Sequence, residues 1–331
     1  MLLSQPLLNV AAPPVLKQQE QVVQALPVGH RPKFATAQPL LHRFDAGNQN
    51  YVLQQFYNRG GIQLGLVTLR LQQYSLFQLQ CATPLAPLMY TLDGRAIAGL
   101  QRQSVLPCTA FTYTLQYLPA GPHPLLLPPG RFRFFYLCAD KGMDFLQPHN
   151  PQVQALHAHI KAHSQQALVA GRLPLTDAIL QQIDRVLELP ASNGHTGLQL
   201  AQLVHGLLGL YHAQSLQPAA PYSTIAARAA CIIADHLLWP ERALLQFLRK
   251  ELQLNQDALH YYWKKQNRGS ISQYIILCRM EYALYLLLVQ QHTIADVADL
   301  LGYENRYSFT EQFKKELGFA PRQLLKYVLS S

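Results

Sequence analysis

Near the end of the chain, apolar residues recur at intervals of three and four, which is the spacing of one helical face. This face consists of Ile294, Val297, Ala298 and Leu301. Thr293 precedes it and Asp296 lies three residues further on, a pattern typical of a capping box at a helix start. Gly302 follows the last apolar position, where a helix end favours a left-handed residue. The pattern predicts a short helix that ends in a glycine turn.

A second amphipathic helix is expected directly after this turn. Asn305 is a suitable N-cap, and Phe309, Phe313 and Leu317 recur behind it on one face. Two short helices around a tight turn make a helix-turn-helix, whose second helix can lie in the major groove of DNA. The residues predicted to contact DNA from this helix are Asn305, Arg306, Tyr307, Ser308, Glu311 and Lys314.

The same arrangement occurs earlier in the chain. Asn255 occupies the N-cap position of this first copy, and Leu259 and Trp263 follow it as the buried face. Leu252 stands where the second copy has Gly302. The predicted DNA contacts of the first copy are Asp257, His260, Tyr261 and Lys264. The lysines of both copies are either phosphate contacts or ordinary solvated helix surface.

A long helix is predicted between the two copies. Ser270 and Gln273 form a candidate capping box at its start, and the apolar pattern runs to about Gln290. At 1.5 Å per residue such a helix spans roughly 30 Å, close to the ~34 Å of one DNA turn. The two recognition helices would therefore enter successive segments of the major groove.

These motifs resemble the DNA-binding domain of the AraC/XylS family of bacterial-type transcription regulators. The matching residues are Gln273-Tyr274-Ile275, Arg279-Met280, Ile294-Ala295, Gly302-Tyr303, Phe313-Lys314 and Gly318-Phe319-Ala320-Pro321. The first copy departs from the family pattern, because Leu252 replaces a small turn residue and its recognition helix exposes no arginine. The resemblance implies a transcription regulator that binds double-stranded promoter DNA. Activators of this kind also contact RNA polymerase, so the polymerase is an implied partner.

From about residue 61 the apolar pattern changes to a period of two, which predicts strands with one buried face. Several such strands favour an antiparallel barrel or sandwich over about 55–140, with Asp93-Gly94 as a hairpin turn. The aromatic residues of these strands are either ordinary core or the lining of an effector pocket. They are Phe111, Tyr113, Tyr117, Phe132, Phe134 and Tyr136.

Helical periodicity returns after Pro151 on strongly apolar helices. Helices of this kind bury more than one side, either by packing on the barrel or by pairing with a second subunit in a homodimer. The order of barrel, helices, linker and paired helix-turn-helix is similar to that of ligand-sensing family members, whose N-terminal domains are often cupin-like barrels. An effector-responsive regulator is therefore the expected function, with a small molecule or partner held by the barrel.

The predicted fold class is α+β multidomain. A loosely ordered lead-in with one edge element (1–50) precedes a cupin-like β-barrel or sandwich (51–150) and a helical dimerisation and linker segment (151–214). An all-α domain of two helix-turn-helix subdomains joined by a long helix follows (222–331), and the cores of both subdomains are expected to be self-contained.

Net charge adds little to this assignment. The chain of 331 residues carries a net charge of +9, but residues 221–331 hold 13 basic and 10 acidic side chains, a net of only +3. The DNA prediction therefore depends on the paired motifs. The five cysteines are widely spaced without a CxxC motif, so buried free thiols in a reducing compartment are expected, with a redox switch as the alternative. Without an apolar run of ~18 residues or an early basic residue, a cytoplasmic protein without a membrane role is expected.

Metal-dependent cupins are enzymes that hold their metal with histidines and usually a glutamate. Here no glutamate occurs between Glu20 and Glu188, and His123, in a proline-rich turn, is the only histidine between residues 60 and 140. His159 and His163 have helical i, i+4 spacing but no nearby carboxylate to complete a site. No catalytic residue, metal or cofactor is therefore expected. The alternatives are a cupin-type enzyme fused to a DNA-binding domain and a ligand-independent architectural DNA binder.

Overall fold

The computed structural model describes residues 8–13, 16, 20–23, 38–44, 49–100, 104–139, 151–189, 196–216, 224–267 and 269–324. Its strands are β1 (Leu8–Ala11), β2 (Gln21–Val23), β3 (Gln38–Arg43), β4 (Tyr51–Arg59), β5 (Ile62–Leu71), β6 (Ser75–Cys81), β7 (Leu88–Asp93), β8 (Arg95–Leu100), β9 (Ser104–Thr109), β10 (Thr112–Tyr117), β11 (Gly121–Leu127), β12 (Gly130–Ala139), β13 (Leu168–Val169) and β14 (Leu173–Pro174).

The helices lie almost entirely after the strands. They are α1 (Pro151–Lys161), α2 (Asp177–Glu188), α3 (Thr196–Leu216), α4 (Ile225–Asp235), α5 (Glu241–Leu252), α6 (Gln256–Gln266), α7 (Ile271–Leu288), α8 (Ile294–Leu300) and α9 (Arg306–Leu317). A short 3-10 helix, Pro321–Gln323, follows α9. Antiparallel strands followed by an all-helical part confirm the predicted fold class.

The strands form two antiparallel sheets that face each other as a sandwich. The smaller sheet has the order β1-β6-β11-β8-β9, and the larger has the order β13-β10-β7-β12-β5-β4-β3-β2, with β14 paired to β10. Alternating residues of both sheets meet in one core, which includes Val10, Leu69, Phe77, Leu125 and Phe134. This is the period-two pattern that the sequence predicts, since β6 alternates strictly between buried and half-buried positions.

Two details of the sandwich differ from the prediction. The described residues among the first 50 form three strands and not one edge element. Strand β1 is joined to β4 by a hydrogen bond from the Val10 amide to Gln54 Oε1. Short strands without periodicity leave little signal in a sequence. Asp93-Gly94 is also no hairpin, because β7 and β8 belong to different sheets. Gly94 has φ +82° and a side chain there would meet Arg131 O at 2.4 Å, so the glycine allows a sharp corner between the sheets.

Helices α1, α2 and α3 cover the outer face of the larger sheet. Their apolar faces bury residues such as Leu156, Ile183 and Tyr211 against Tyr90 and Phe135 of the sheet. Packing on the sheet, one of the two predicted ways to bury these helices, therefore accounts for their apolar faces. As a result β10 is buried on both sides.

The remaining helices form two helix-turn-helix units joined by α7. The first unit packs α4 to α6 around Leu244, Leu248 and Trp263, together with the start of α7. The second unit packs α8 and α9 against the later part of α7. By length and composition α7 is apolar enough to cross a membrane, but 56% of it is buried inside this protein. It serves here as the central core helix of the pair.

The second unit shares its core with the sandwich. Tyr74, Ile97 and Leu126 of the smaller sheet belong to the same cluster of buried residues as the second helix-turn-helix. Arg95 of β8 also donates two hydrogen bonds to Glu281 of α7, at 3.0 and 2.8 Å. The expectation of two self-contained cores is therefore wrong for the second unit, because the outer face of the smaller sheet closes it.

Candidate functional site

The second helix-turn-helix has the local geometry that its sequence predicts. Thr293 Oγ1 accepts from the Asp296 amide at 3.1 Å, and Asp296 accepts from the Thr293 amide at 3.0 Å, which completes the capping box. The hydrogen bonds with Thr293 also lower the pKa of Asp296. Gly302 has φ +73° and lies in the left-handed region, as predicted. The Tyr303 amide donates back to Ala298 O at 2.9 Å, a bond that ends α8 in a tight turn.

Asn305 caps the recognition helix α9. Its Oδ1 accepts from the amides of Tyr307 and Ser308 at 3.0 and 2.9 Å. Ser308 is half-buried and its hydroxyl donates to Asn305 O at 2.9 Å. These contacts show that Asn305 and Ser308 stabilise the start of the recognition helix α9.

The outer face of α9 is open to solvent. Phe309, Phe313 and Leu317 are buried as predicted, and Tyr307 on the opposite side is 73% exposed. The other predicted contact residues that lie exposed on this helix are Arg306, Glu311 and Lys314. The helix thus presents donors, acceptors and an aromatic ring on a surface that no described part of the chain covers.

The turn of the first unit is built differently from the prediction. Leu252 is the last residue of α5 and is buried, and Gln253 takes the left-handed conformation with φ 55°. The Leu254 amide donates to Arg249 O at 3.0 Å, the counterpart of the Tyr303 bond, so Gln253 and not Leu252 corresponds to Gly302. The first turn is therefore one residue shorter before its N-cap, Asn255. Aligning the two copies by their N-caps hides this difference.

The recognition helix of the first unit, α6, is also exposed on one side. Asn255 caps it by accepting from the Ala258 amide at 2.8 Å. Asp257, Tyr261 and Lys264 are exposed, with Tyr261 at 64%. His260 is half-buried and lines a polar groove between α5, α6 and the start of α7. It lies on the same helical face as Asp257, Tyr261 and Lys264, at positions i, i+3, i+4 and i+7 of α6.

Helix α7 fixes both units at once. Its N-cap Ser270 accepts from the Gln273 amide at 3.1 Å, but the Gln273 side chain bonds to Glu316 of α9, so the predicted capping box is only half formed. Arg279 is buried and donates to Leu301 O at the turn of the second unit. With 18 residues, α7 is about 27 Å long. Its contacts hold the second turn against the connecting helix.

The helix-turn-helix domain family matches residues 248–327 of the chain, which include both recognition helices and α7. Residues 248–327 are an AraC-type helix-turn-helix domain. Relatives match about a quarter of the chain. The HTH-type transcriptional regulator YobQ of Bacillus subtilis, named as uncharacterised, is 35% identical over 91 residues, which are 27% of this chain and 36% of YobQ. The porin thermoregulatory protein EnvY of Escherichia coli is 35% identical over 81 residues, which are 24% of this chain and 32% of EnvY. The chain thus spans about a third of the length of these relatives.

Two solved structures are similar to this chain at low overall scores. The C-terminal domain of AraT, a response regulator from Geobacillus stearothermophilus, is 27% identical, with a TM-score of 0.29, and covers 32% of this chain and 88% of that one. ToxT from Vibrio cholerae with a bound unsaturated fatty acid is 14% identical, with a TM-score of 0.31, and covers 82% of this chain and 97% of that one.

The sandwich that precedes the AraC-type domain contains a cavity between its sheets. The space in which the centre of a water molecule can move is about 40 Å³. Most of its wall is apolar. The residues that line it are Leu79, Met89, Thr91, Ala98, Leu100, Leu106, Cys108, Thr112, Tyr113, Thr114, Gln116, His123, Pro124, Leu125, Phe132, Phe134 and Arg172.

Three of the six aromatic residues predicted for an effector pocket lie on this wall: Tyr113, Phe132 and Phe134. Phe111 occupies a left-handed turn position and is 36% exposed. Tyr117 packs towards α1 and donates to Ser164 O at 2.8 Å. Tyr136 is buried in the sandwich core but does not line the cavity.

The polar side of β10 faces the cavity and its aromatic side faces the helices. Thr112, Thr114 and Gln116 line the space, whereas Tyr113 also reaches outward and donates to Gln214 of α3 at 3.1 Å. The sequence interpretation assigned the aromatic side to the interior, because the sequence does not show which strands the predicted helices cover. The alternating polar residues Thr112, Thr114 and Gln116, on a strand that is buried on both sides, are the sequence pattern that indicates the residues lining the cavity.

His123 lies in strand β11, not in a turn as predicted. It is 1% exposed, and its Nε2 is 3.0 Å from Pro119 O. Burial lowers the pKa of His123, although the bond to Pro119 acts in the opposite direction. Nearby, burial raises the pKa of the Cys108 thiol to about 11, so this cavity cysteine is an unreactive thiol at neutral pH.

Among the residues that the structure describes, no group of three or more His, Cys, Asp or Glu side chains has an arrangement that could hold a metal ion. All five cysteines are free thiols, and four of them are buried.

Proposed function

We propose that the chain is a sequence-specific, DNA-binding transcriptional regulator that responds to a small molecule. The observation that carries the proposal is the paired arrangement of α6 and α9. Each helix is N-capped by an asparagine, buries one face in its own unit and leaves the other face open. A capped helix with one free face is the structure that helix-turn-helix proteins insert into the major groove.

In this proposal the second unit contributes more to DNA recognition than the first. Arg306 lies at the exposed start of α9, and an arginine can donate two hydrogen bonds to the major-groove edge of guanine. Tyr307 and Glu311 add a ring and an acceptor on the same face. Lys314, further along the helix, is suited to a phosphate. Asp257 of the first unit is an anion that phosphate repels, so α6 contributes less to affinity.

Strands β8 and β11 connect the cavity of the sandwich to the core of the second helix-turn-helix. In β8, Ala98 and Leu100 line the cavity, whereas Ile97 packs in the core of the second helix-turn-helix. In β11, Leu125 lines the cavity and Leu126 packs in that same core. A molecule that widens the cavity would therefore displace strands whose other side supports α7. Effector binding in the cavity is proposed to act through this shared layer.

RNA polymerase, promoter DNA and a second copy of the chain are the proposed partners. The first two rest on resemblance to AraC-type regulators. The homodimer rests on α3, whose ends leave Leu198 and Leu216 64% and 51% exposed. Sedimentation of the full chain measures the oligomeric state, and a monomer at micromolar concentration would remove the dimer from the proposal.

Fluorescence anisotropy tests DNA recognition directly. The full chain is titrated into a duplex selected from random DNA and into a duplex of the same composition in shuffled order. We expect tighter binding to the selected duplex and a steep loss of affinity with salt, because bound lysines and arginines release counterions from phosphate. The same titration is repeated with Arg306→Ala, which removes a predicted base contact. Arg185→Ala removes a positive charge from α2, outside both recognition helices, and serves as its control. Equal binding to both duplexes would contradict sequence-specific recognition.

A further inference from the structure

One ring nitrogen on the cavity wall has no hydrogen-bond partner. His123 is paired in register with Leu79 of β6, and both line the cavity. Pro119 O can only accept a hydrogen bond, so the Nε2 atom 3.0 Å away carries the proton and donates. Nδ1 is buried and makes no hydrogen bond. Buried polar atoms in folded proteins are nearly always paired, so this atom calls for a partner in the adjacent space.

The protonation state of the ring defines that partner. Burial holds the pKa of His123 below its ordinary value of 6.5, so the imidazole is neutral at pH 7. A neutral imidazole that is protonated at Nε2 offers a lone pair at Nδ1. The missing partner is therefore a hydrogen-bond donor, such as a hydroxyl or an N–H group.

Three other polar residues of the wall have hydrogen-bond partners. Thr112 Oγ1 donates to Thr109 O at 2.7 Å, and Gln116 Nε2 donates to Thr114 Oγ1 at 2.6 Å. Arg172, the one charged residue among those lining the cavity, donates from Nε to Asp235 of α4 at 3.0 Å. No carboxylate is among the lining residues. Nδ1 of His123 is thus a buried, unpaired acceptor in a mainly apolar wall.

We propose that the cavity binds a small, uncharged, mainly apolar molecule whose hydroxyl or N–H group donates a hydrogen bond to Nδ1 of His123. The role of this molecule as an effector rests on the proposed function, whereas its chemistry rests on the cavity alone. The free space of about 40 Å³ is well below the roughly 150 Å³ of a cavity that binds benzene, so even a molecule of one ring must widen it to bind. This limit favours one ring or a short chain over a cofactor, whose pockets are typically several hundred Å³ or more. An organic acid is the alternative ligand, and it would have to compete with Asp235 for Arg172.

Phenol, toluene and benzoate distinguish these chemistries. The three compounds share one ring, but phenol has a donor, toluene has none and benzoate carries a negative charge. Isothermal titration of the full chain without DNA measures each affinity. We expect phenol to bind at least about tenfold more tightly than toluene, since toluene leaves Nδ1 buried and unpaired. Benzoate should bind more weakly than phenol.

Two substitutions assign the preference to His123. Glutamine can donate to Pro119 O and accept from the ligand, so His123→Gln should keep the preference for phenol over toluene. Leucine can do neither, so His123→Leu should bind both compounds with similar affinity. Circular dichroism of each variant checks folding. A readout in the unmodified chain does not depend on the variants: the nitrogen-15 resonance of His123 Nδ1, assigned by its loss in His123→Gln, should move on adding phenol and not on adding toluene.

Three results would overturn the proposal. They are equal affinities of the unmodified chain for phenol and toluene, no binding of either compound, and tightest binding of benzoate, which would transfer ligand recognition to Arg172. None of these results bears on DNA recognition, which the anisotropy titration tests separately. Failure of that titration with a preserved phenol preference would in turn leave the cavity chemistry intact and remove its regulatory role.

Discussion

Two residues with the same backbone conformation carry different side chains. Gly302 follows α8 and Gln253 follows α5, and both lie in the left-handed region, at φ +73° and 55°. An added Cβ at Gly302 would meet no atom within 4 Å, so any cost of substitution comes from the backbone and not from crowding. Exchanging the two residue types therefore measures the free-energy cost of the left-handed backbone conformation for a residue with a Cβ.

We expect Gly302→Gln to destabilise the chain by about 1–2 kcal/mol, the cost of the left-handed conformation for a residue with a Cβ. Gln253→Gly should be neutral or stabilising, by up to about 1 kcal/mol, because relief of that cost is partly offset by the greater freedom of glycine in the unfolded chain. Urea unfolding measures both. Equal effects of the two substitutions would show that the turns are not held as described.

His123 should make stability depend on pH. Its pKa in the folded chain is below the unfolded value of 6.5, so between these values the unfolded chain binds more protons. The contribution of His123 is therefore fully present above about pH 6.5 and is lost as the pH falls below it. The urea midpoint from about pH 7.5 to pH 5 should decrease more for the unmodified chain than for His123→Gln. Parallel curves would contradict a neutral, buried imidazole.

At the scale of elements, the two recognition helices should contribute unequally. Arg306→Ala should cost roughly 1–3 kcal/mol of binding and relax sequence preference at one position, if Arg306 reads a base. Lys314→Ala should weaken all sequences alike and reduce the salt slope by about 1, since phosphate contacts carry no sequence information. Asp257→Asn should leave binding unchanged or tighten it, because phosphate repels a carboxylate. Anisotropy with matched and shuffled duplexes measures all three. A greater loss of specificity from Asp257→Asn would make α6 the principal reader.

Elements that depend on local chemistry were predictable from the sequence. The capping box of Thr293, the asparagine N-caps and the buried face of α9 follow from residues within one or two turns of each other. The faces of β10 were not predictable, because both are buried and the outcome depends on α3, about 100 positions later. The position of Gln253 was hidden for another reason: the turns differ by one residue, which a comparison based on N-caps cannot detect.

At the scale of the whole molecule, the sandwich and the helical part are joined by an ion pair whose carboxylate is buried. The Glu281 side chain is 3% exposed and that of Arg95 is 28% exposed. These residues are 186 positions apart, and nothing in a single sequence connects them. The same holds for Tyr74, Ile97 and Leu126, which complete the core of the second helix-turn-helix. The assignment of the DNA-binding domain needed only local motifs, whereas its attachment to the sandwich depended on long-range contacts.

Removing one partner of this pair should cost more than removing both. Arg95→Met leaves the Glu281 carboxylate buried without a partner and should destabilise the chain by about 3–5 kcal/mol. The double substitution Arg95→Met with Glu281→Met replaces the pair by apolar contacts and should be closer to neutral. Arg131→Met breaks the exposed pair with Asp93 and should cost at most about 1 kcal/mol, which makes it the matched control. Urea unfolding compares the variants. Similar losses for Arg95→Met and Arg131→Met would mean that the sandwich does not dock on α7 as described.

Selection of binding sites from random DNA with the full chain tests most directly whether paired reading helices recognise DNA. If α7 places α6 and α9 in successive segments of the major groove, the selected sites should contain two conserved segments about 10 base pairs apart, centre to centre. Arg306→Ala should relax sequence preference at one position of one segment and leave the other segment unchanged, and Arg185→Ala should alter neither. A single conserved segment, or no enriched sequence at all, would contradict the claim that both helices read successive segments of the major groove.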